Sequence, residues 1–85
     1  MSPSPLHNNR LRFAQGGRAK AQELLGRLTD REREIARLVA EGLTNVEIAG
    51  RMFLGEATVK THLAKACQKL GVNRVRLALV VDRAG

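Results

Sequence analysis

The chain has 85 residues, 15 Lys+Arg against 8 Asp+Glu, and a formal net charge of +7. That length admits one small domain and excludes a nucleotide-binding α/β fold with its own cleft. Two aromatics (Phe13, Phe53) exclude base-stacking platforms of the RRM or OB type, and one cysteine (Cys67) excludes an intramolecular disulfide or a cysteine zinc knot.

The first 27 residues carry Arg10, Arg12, Arg18, Lys20 and Arg27 against Glu23, a net +4. Residues 1–17 include Pro3, Pro5, Asn8, Asn9, Gly16 and Gly17. They read as a flexible basic tail, because they cannot bury enough apolar surface to offset ordering. Residues 18–26 can form a short helix ending at Gly26. The tail or linker is therefore expected over 1–27 and the folded domain over 28–85.

From Leu28 the punctuation is regular. Thr29-Asp30-Arg31-Glu32 is a capping box, in which hydroxyl and carboxylate each satisfy the other residue's backbone N–H. Ile35, Leu38 and Val39 then mark one buried helix face, and Gly42 stands where that helix stops. Thr44-Asn45-Val46-Glu47 is a second capping box, opening a short helix over 45–52 with Ile48, Ala49 and Met52 on its apolar face. Phe53-Leu54-Gly55 interrupts. A longer helix follows over 56–70, with Val59, Leu63, Ala66 and Leu70 at i, i+4, i+7 and i+11 and Gly71 as its stop. Asn73 caps a last segment, 74–83. Its Leu77-Ala78-Leu79-Val80-Val81 run has strand propensity. It is read as helix, because no second strand exists to pair with it. The expected fold is all-α: a compact four-helix bundle containing a helix-turn-helix, behind a flexible basic N-terminal tail.

A short helix, a tight turn and a longer helix, with the small Ala49 at the crossing and Val59 to lock the angle, meet the needs of a helix-turn-helix. Subtracting the apolar stripe of 56–70 leaves a polar, cationic face. Lys60, Thr61, Ala64 and Lys65 are the expected base readers, the N-terminal half of the helix entering the major groove deepest. Thr44, Asn45, Thr58, His62, Gln68 and Lys69 are the expected phosphate contacts. His62 can equally pack beside the turn. Cys67 reads as a small helix residue near the core. On 74–83, apolar residues cover more than one face, more than a single intramolecular contact needs. Val75, Leu77, Leu79, Val80 and Val81 are therefore expected at a dimer interface, with packing of residues 6–25 over the same surface as the competing reading.

These blocks carry a family resemblance. Leu28-Thr29-Asp30-Arg31-Glu32-Arg33-Glu34-Ile35, Glu41-Gly42-Leu43-Thr44-Asn45 with Glu47-Ile48-Ala49, Thr58-Val59-Lys60-Thr61-His62 and Lys69-Leu70-Gly71-Val72 resemble the LuxR/FixJ/NarL-type DNA-binding domain. The resemblance covers about 28–85. It implies a four-helix effector domain of a bacterial transcription regulator, of the kind found in response regulators, that binds near-palindromic double-stranded DNA as a dimer. In that family the third helix reads bases, the fourth commonly supplies the dimer contact, and the sensing part usually lies N-terminal. The chain departs from the pattern at several places. Val46 stands where Lys or Arg often meets a phosphate, and Gly55 replaces a frequent Ser cap. Ala66 replaces a larger aliphatic residue. Val75 stands where Arg is frequent, between Arg74 and Arg76.

The leading expectation is thus sequence-specific binding of duplex DNA, with a second copy of the chain as partner and RNA polymerase as a further candidate. The alternative is a protein-interaction module of the same fold that modulates another regulator or the polymerase. A sigma-factor helix-turn-helix shares the Glu-Ile-Ala and Thr-Val-Lys elements but not the Lys-Leu-Gly-Val end. No phosphate loop, metal-spaced His/Cys set or nucleophile with base and orienter is present, so neither an enzyme nor a cofactor or metal is expected. No apolar run approaches the length of a membrane span, and Met-Ser-Pro-Ser-Pro lacks a signal peptide's apolar core. A cytoplasmic location is expected.

Overall fold

The structure, a computed structural model, describes residues 17–85. Of the flexible tail expected over 1–17, residues 1–16 lie outside the described residues, while Gly17 is the first residue of a helix. Every regular element among them is an α-helix: α1 (17–26), α2 (Asp30–Ala40), α3 (Asn45–Met52), α4 (Glu56–Leu70) and α5 (Arg74–Ala84). The 77–81 run is helical, as its lack of a pairing partner requires.

Local chemistry sets each boundary. At α2, the Thr29 hydroxyl accepts from the Glu32 N–H at 3.1 Å and the Glu32 carboxylate accepts from the Thr29 N–H at 2.9 Å. At α3 the reciprocal pair is Thr44 and Glu47, at 3.2 and 2.8 Å. Asn73 caps α5 by accepting from the Arg76 N–H at 2.8 Å. α4 starts at Gly55, which has no side chain to cap with.

The C-terminal ends of α2, α3 and α4 share one device, a left-handed residue that turns the next N–H back onto the helix. Gly42 (φ 92°) lets the Leu43 N–H reach the Leu38 carbonyl, and Gly71 (φ 67°) lets the Val72 N–H reach that of Cys67. In α3 this position is Phe53 (φ 57°), with the Leu54 N–H on the Ala49 carbonyl at 2.9 Å.

The interior is aliphatic. Ile35, Ile48, Val59 and Leu77 are its largest fully buried side chains, one from each of α2 to α5. α2 is the hub: it packs most extensively on α5 and α4, while α3 leans on α4. Ala66 on α4 is also fully buried. The packed interior extends N-terminal of residue 28: Ala21 of α1 is 3% exposed, and Leu25 packs against the core. Gln22 donates to the Ala84 carbonyl at 3.2 Å, and Arg33 of α2 reaches back to the Leu25 and Leu28 carbonyls. These contacts tie α1 to α2 and α5.

Candidate nucleic-acid interface

α3, the turn 53–55 and α4 form the helix-turn-helix. Ile48 and Ala49 of α3 join Val59 and Leu63 of α4 in one buried cluster. With one side of α4 inward, Lys60, Thr61, Ala64, Lys65 and Gln68 all lie exposed on the other. Two cations, Lys60 and Lys65, and two small side chains, Thr61 and Ala64, present positive charge without bulk that would hold a duplex away.

The side chains on this face differ in what they have left to offer. Thr61 donates its hydroxyl hydrogen to the Ala57 carbonyl at 3.0 Å, leaving its lone pairs and methyl outward. Lys60 lies 3.6 Å from Glu56, with both side chains about half exposed, so water screens the pair and the ammonium can exchange onto another anion. Lys65 has no ion pair among the described residues. Thr58 is exposed and His62 half-buried. Because Gly55 supplies no cap, the first N–H groups of α4 are not satisfied by a side chain.

Two expected phosphate contacts at the start of α3 are already engaged. The Thr44 backbone N–H donates to Glu47, and the hydroxyl accepts from the Glu47 N–H. Those bonds, the backbone one foremost, hold the Glu47 carboxyl below its usual value. Thr44 keeps its hydroxyl hydrogen. The Asn45 side-chain carbonyl accepts from Arg74 at 2.6 Å, leaving its amide hydrogens as donors. Arg74 also donates to the Leu43 carbonyl at 2.8 Å. The arginine preceding Val75 therefore supplies the polar contact beside α5.

Lys69, a third expected phosphate contact, is also engaged. Its ammonium donates to Glu32 at 2.7 Å, and Glu32 is 3% exposed. Burial is the largest influence on the Glu32 carboxyl and raises it. The Lys69 hydrogen bond, the Thr29 N–H and the Lys69 charge together outweigh that, so its pKa lies below the usual value. Lys69 thus forms a strut between α4 and α2. Burial pushes the Cys67 thiol up despite the nearby Arg74 charge, as fits a residue packed against the core. Sequence periodicity carried no sign of the Arg74 clasp or the Lys69 strut, since the partners lie 29 to 37 residues apart.

The expected dimer residues of α5 separate. Leu77 is 0% exposed and belongs to the core, which corrects its placement at an interface. Val81 packs against the core and Val80 is half-buried. Val75 (69% exposed) and Leu79 (48%) remain on the surface. α5 packs on α2 through a face that hydrophobicity alone does not single out. No helix among the described residues is long and apolar enough to cross a membrane.

Residues 26–81 match the family described as bacterial regulatory proteins, luxR family. The chain is 48% identical over 64 residues to the DNA-binding transcriptional activator DevR/DosR of Mycobacterium tuberculosis, covering 75% of this chain and 30% of that protein. It is 45% identical over 53 residues to the spore germination protein GerE of Bacillus subtilis, covering 62% of this chain and 72% of GerE. It is 38% identical over 70 residues to the nitrate/nitrite response regulator protein NarL of Escherichia coli, covering 81% of this chain and 32% of NarL. The chain thus spans about a third of two of these relatives.

Proposed function

Because the chain belongs to the luxR family of bacterial regulatory proteins, we propose that it is a DNA-binding module of a transcription regulator, reading duplex DNA through α4. The carrying observation is the exposed row of Lys60, Thr61, Ala64, Lys65 and Gln68 on a helix whose opposite side is locked into the core. A helix of this width fits the major groove. Lys60 and Lys65 donate to guanine O6/N7 or to phosphate. Thr61 offers an acceptor and a methyl, and Ala64 lets the helix approach closely. Gln68 of the row, with Thr44, Asn45, Thr58 and His62, donates to the DNA backbone. The module acts as a dimer on a near-palindromic site, through Val75 and the adjoining side of Leu79, in the cytoplasm, where RNA polymerase is a further partner. This is binding and not enzymatic chemistry, as in the activators and regulators it resembles.

The test is selection of a preferred site from random duplexes, followed by salt titration. Each phosphate neutralised contributes about 0.9 to the slope of log affinity against log salt. Lys60→Ala with Lys65→Ala is expected to lower that slope by about 1 to 2. Thr61 and Ala64 variants are expected to change the selected sequence more than the slope. Binding and slope untouched by the double variant would remove α4 from the interface. Failure to enrich any sequence would favour the interaction-module reading.

A further inference from the structure

α1 and α5 flank an open groove of about 400 Å³. It contains no residue of α3 or α4. α1 contributes positions 17, 20, 21 and 24, and α5 contributes 76, 79, 80 and 83. Both sets follow i, i+3, i+4, i+7, the stripe of a helix facing a neighbour. Two helices thus present matched stripes to a third position that nothing among the described residues occupies. The floor is aliphatic: Ala21 and Leu24 on one wall, Leu79 and Val80 on the other, Val72 at one end. Lys20, Arg76 and Arg83 form a cationic rim.

We propose that this groove docks an acidic amphipathic helix of a partner protein. Charge selects the occupant. The Arg76 and Arg83 side chains have no ion pair or hydrogen bond among the described residues, and Lys20 shares Glu23 with Arg27. The two arginines stand seven residues apart, about 10 Å along the helix. They match carboxylates two turns apart on a helix laid between the walls, with its apolar face on the floor. A second copy docked groove to groove would set each arginine against like charge. The chain's own residues 1–16 carry Arg10 and Arg12 and no acidic residue, so their composition does not complement the rim. DNA satisfies the rim but not the aliphatic floor. Leu79 borders both the groove and the Val75 surface, so the docked helix competes with self-association.

The probe is a fluorescein-labelled synthetic helix of about four turns, leucines along one stripe and glutamates flanking them, titrated against the full chain. Its counterpart carries lysines in place of the glutamates. The acidic peptide is expected to bind about tenfold or more tighter, shifting amide resonances of 17–24 and 72–83. Arg76→Glu with Arg83→Glu, both exposed, should cost about tenfold in affinity with an unchanged helical spectrum. Leu79→Asp should weaken binding from the apolar side. Equal binding of both peptides, or shifts confined to α4, would overturn the proposal. So would decanoate occupying the groove where the peptide does not, the mark of a small amphiphilic anion. Concentration-dependent self-association that moves the same amides without peptide would assign the groove to a second copy instead.

Discussion

The Glu32 carboxylate accepts from both the Thr29 N–H and the Lys69 ammonium while almost wholly removed from water. Its pKa in the folded chain is lowered, so its stabilisation is complete above the unfolded carboxylate value of about 4.3. That stabilisation is lost as pH falls through the lower folded value. Glu32→Gln should destabilise at neutral pH by about 1–3 kcal/mol. The lower part of that range is expected, because Lys69 is 40% exposed and can rehydrate. Denaturant unfolding at a series of pH values checks this: the gap between wild type and variant should close on the acid side. Phe53 is the opposite case. It holds φ 57° and is 94% exposed, so it carries left-handed strain with almost no burial in return. Phe53→Gly should raise stability by about 0.5–1 kcal/mol, seen as a higher thermal midpoint. The capping partners of Glu32 were legible in the sequence because they lie within one turn. Lys69 was not, because 37 residues separate it from Glu32.

Elements begin and end where their caps dictate. The bounds of the helix-turn-helix, 45–52 and 56–70, follow from Thr44, Glu47, Gly55 and Gly71 and agree with the structure. What holds the elements together is less local. Arg74 clamps the start of α5 to the start of α3 and the residue before its cap, through the Asn45 amide oxygen and the Leu43 carbonyl. A planar guanidinium reaches both acceptors at once, whereas a lysine ammonium on a flexible stem cannot match that fork. Arg74→Ala should cost about 1–3 kcal/mol, and Arg74→Lys should recover only a minor part. Hydrogen exchange of the Leu43–Glu47 amides would report the loosening directly. If Lys restored full protection, charge and not the fork would be the operative property.

Across the whole molecule, α2 gathers α4 and α5 around one aliphatic centre, and α1 lies against α5 as a fifth helix. Two leucines of α5, two residues apart, therefore differ sharply. Leu77 is fully enclosed, so Leu77→Ala should cost about 2–5 kcal/mol. Leu79 is half exposed, so Leu79→Ala should cost about 1 kcal/mol or less. The second variant should instead weaken self-association. Denaturant midpoints for the pair, with sedimentation of Leu79→Ala, separate the two roles. Equal destabilisation would mean that the α1 side covers Leu79 more completely than its exposure implies.

The sequence by itself determined the helix boundaries, the helix-turn-helix and the cationic row on α4. Caps, glycine stops and hydrophobic period act within a few residues, so they survive as pattern. Only the tertiary structure decided which side of α5 faces the core, that Lys69 and Arg74 serve the scaffold, and that α1 belongs to the globule. Those outcomes depend on which surfaces meet across tens of residues. An aliphatic side chain or a lysine reads the same in one dimension whether it meets the core, a carboxylate or water.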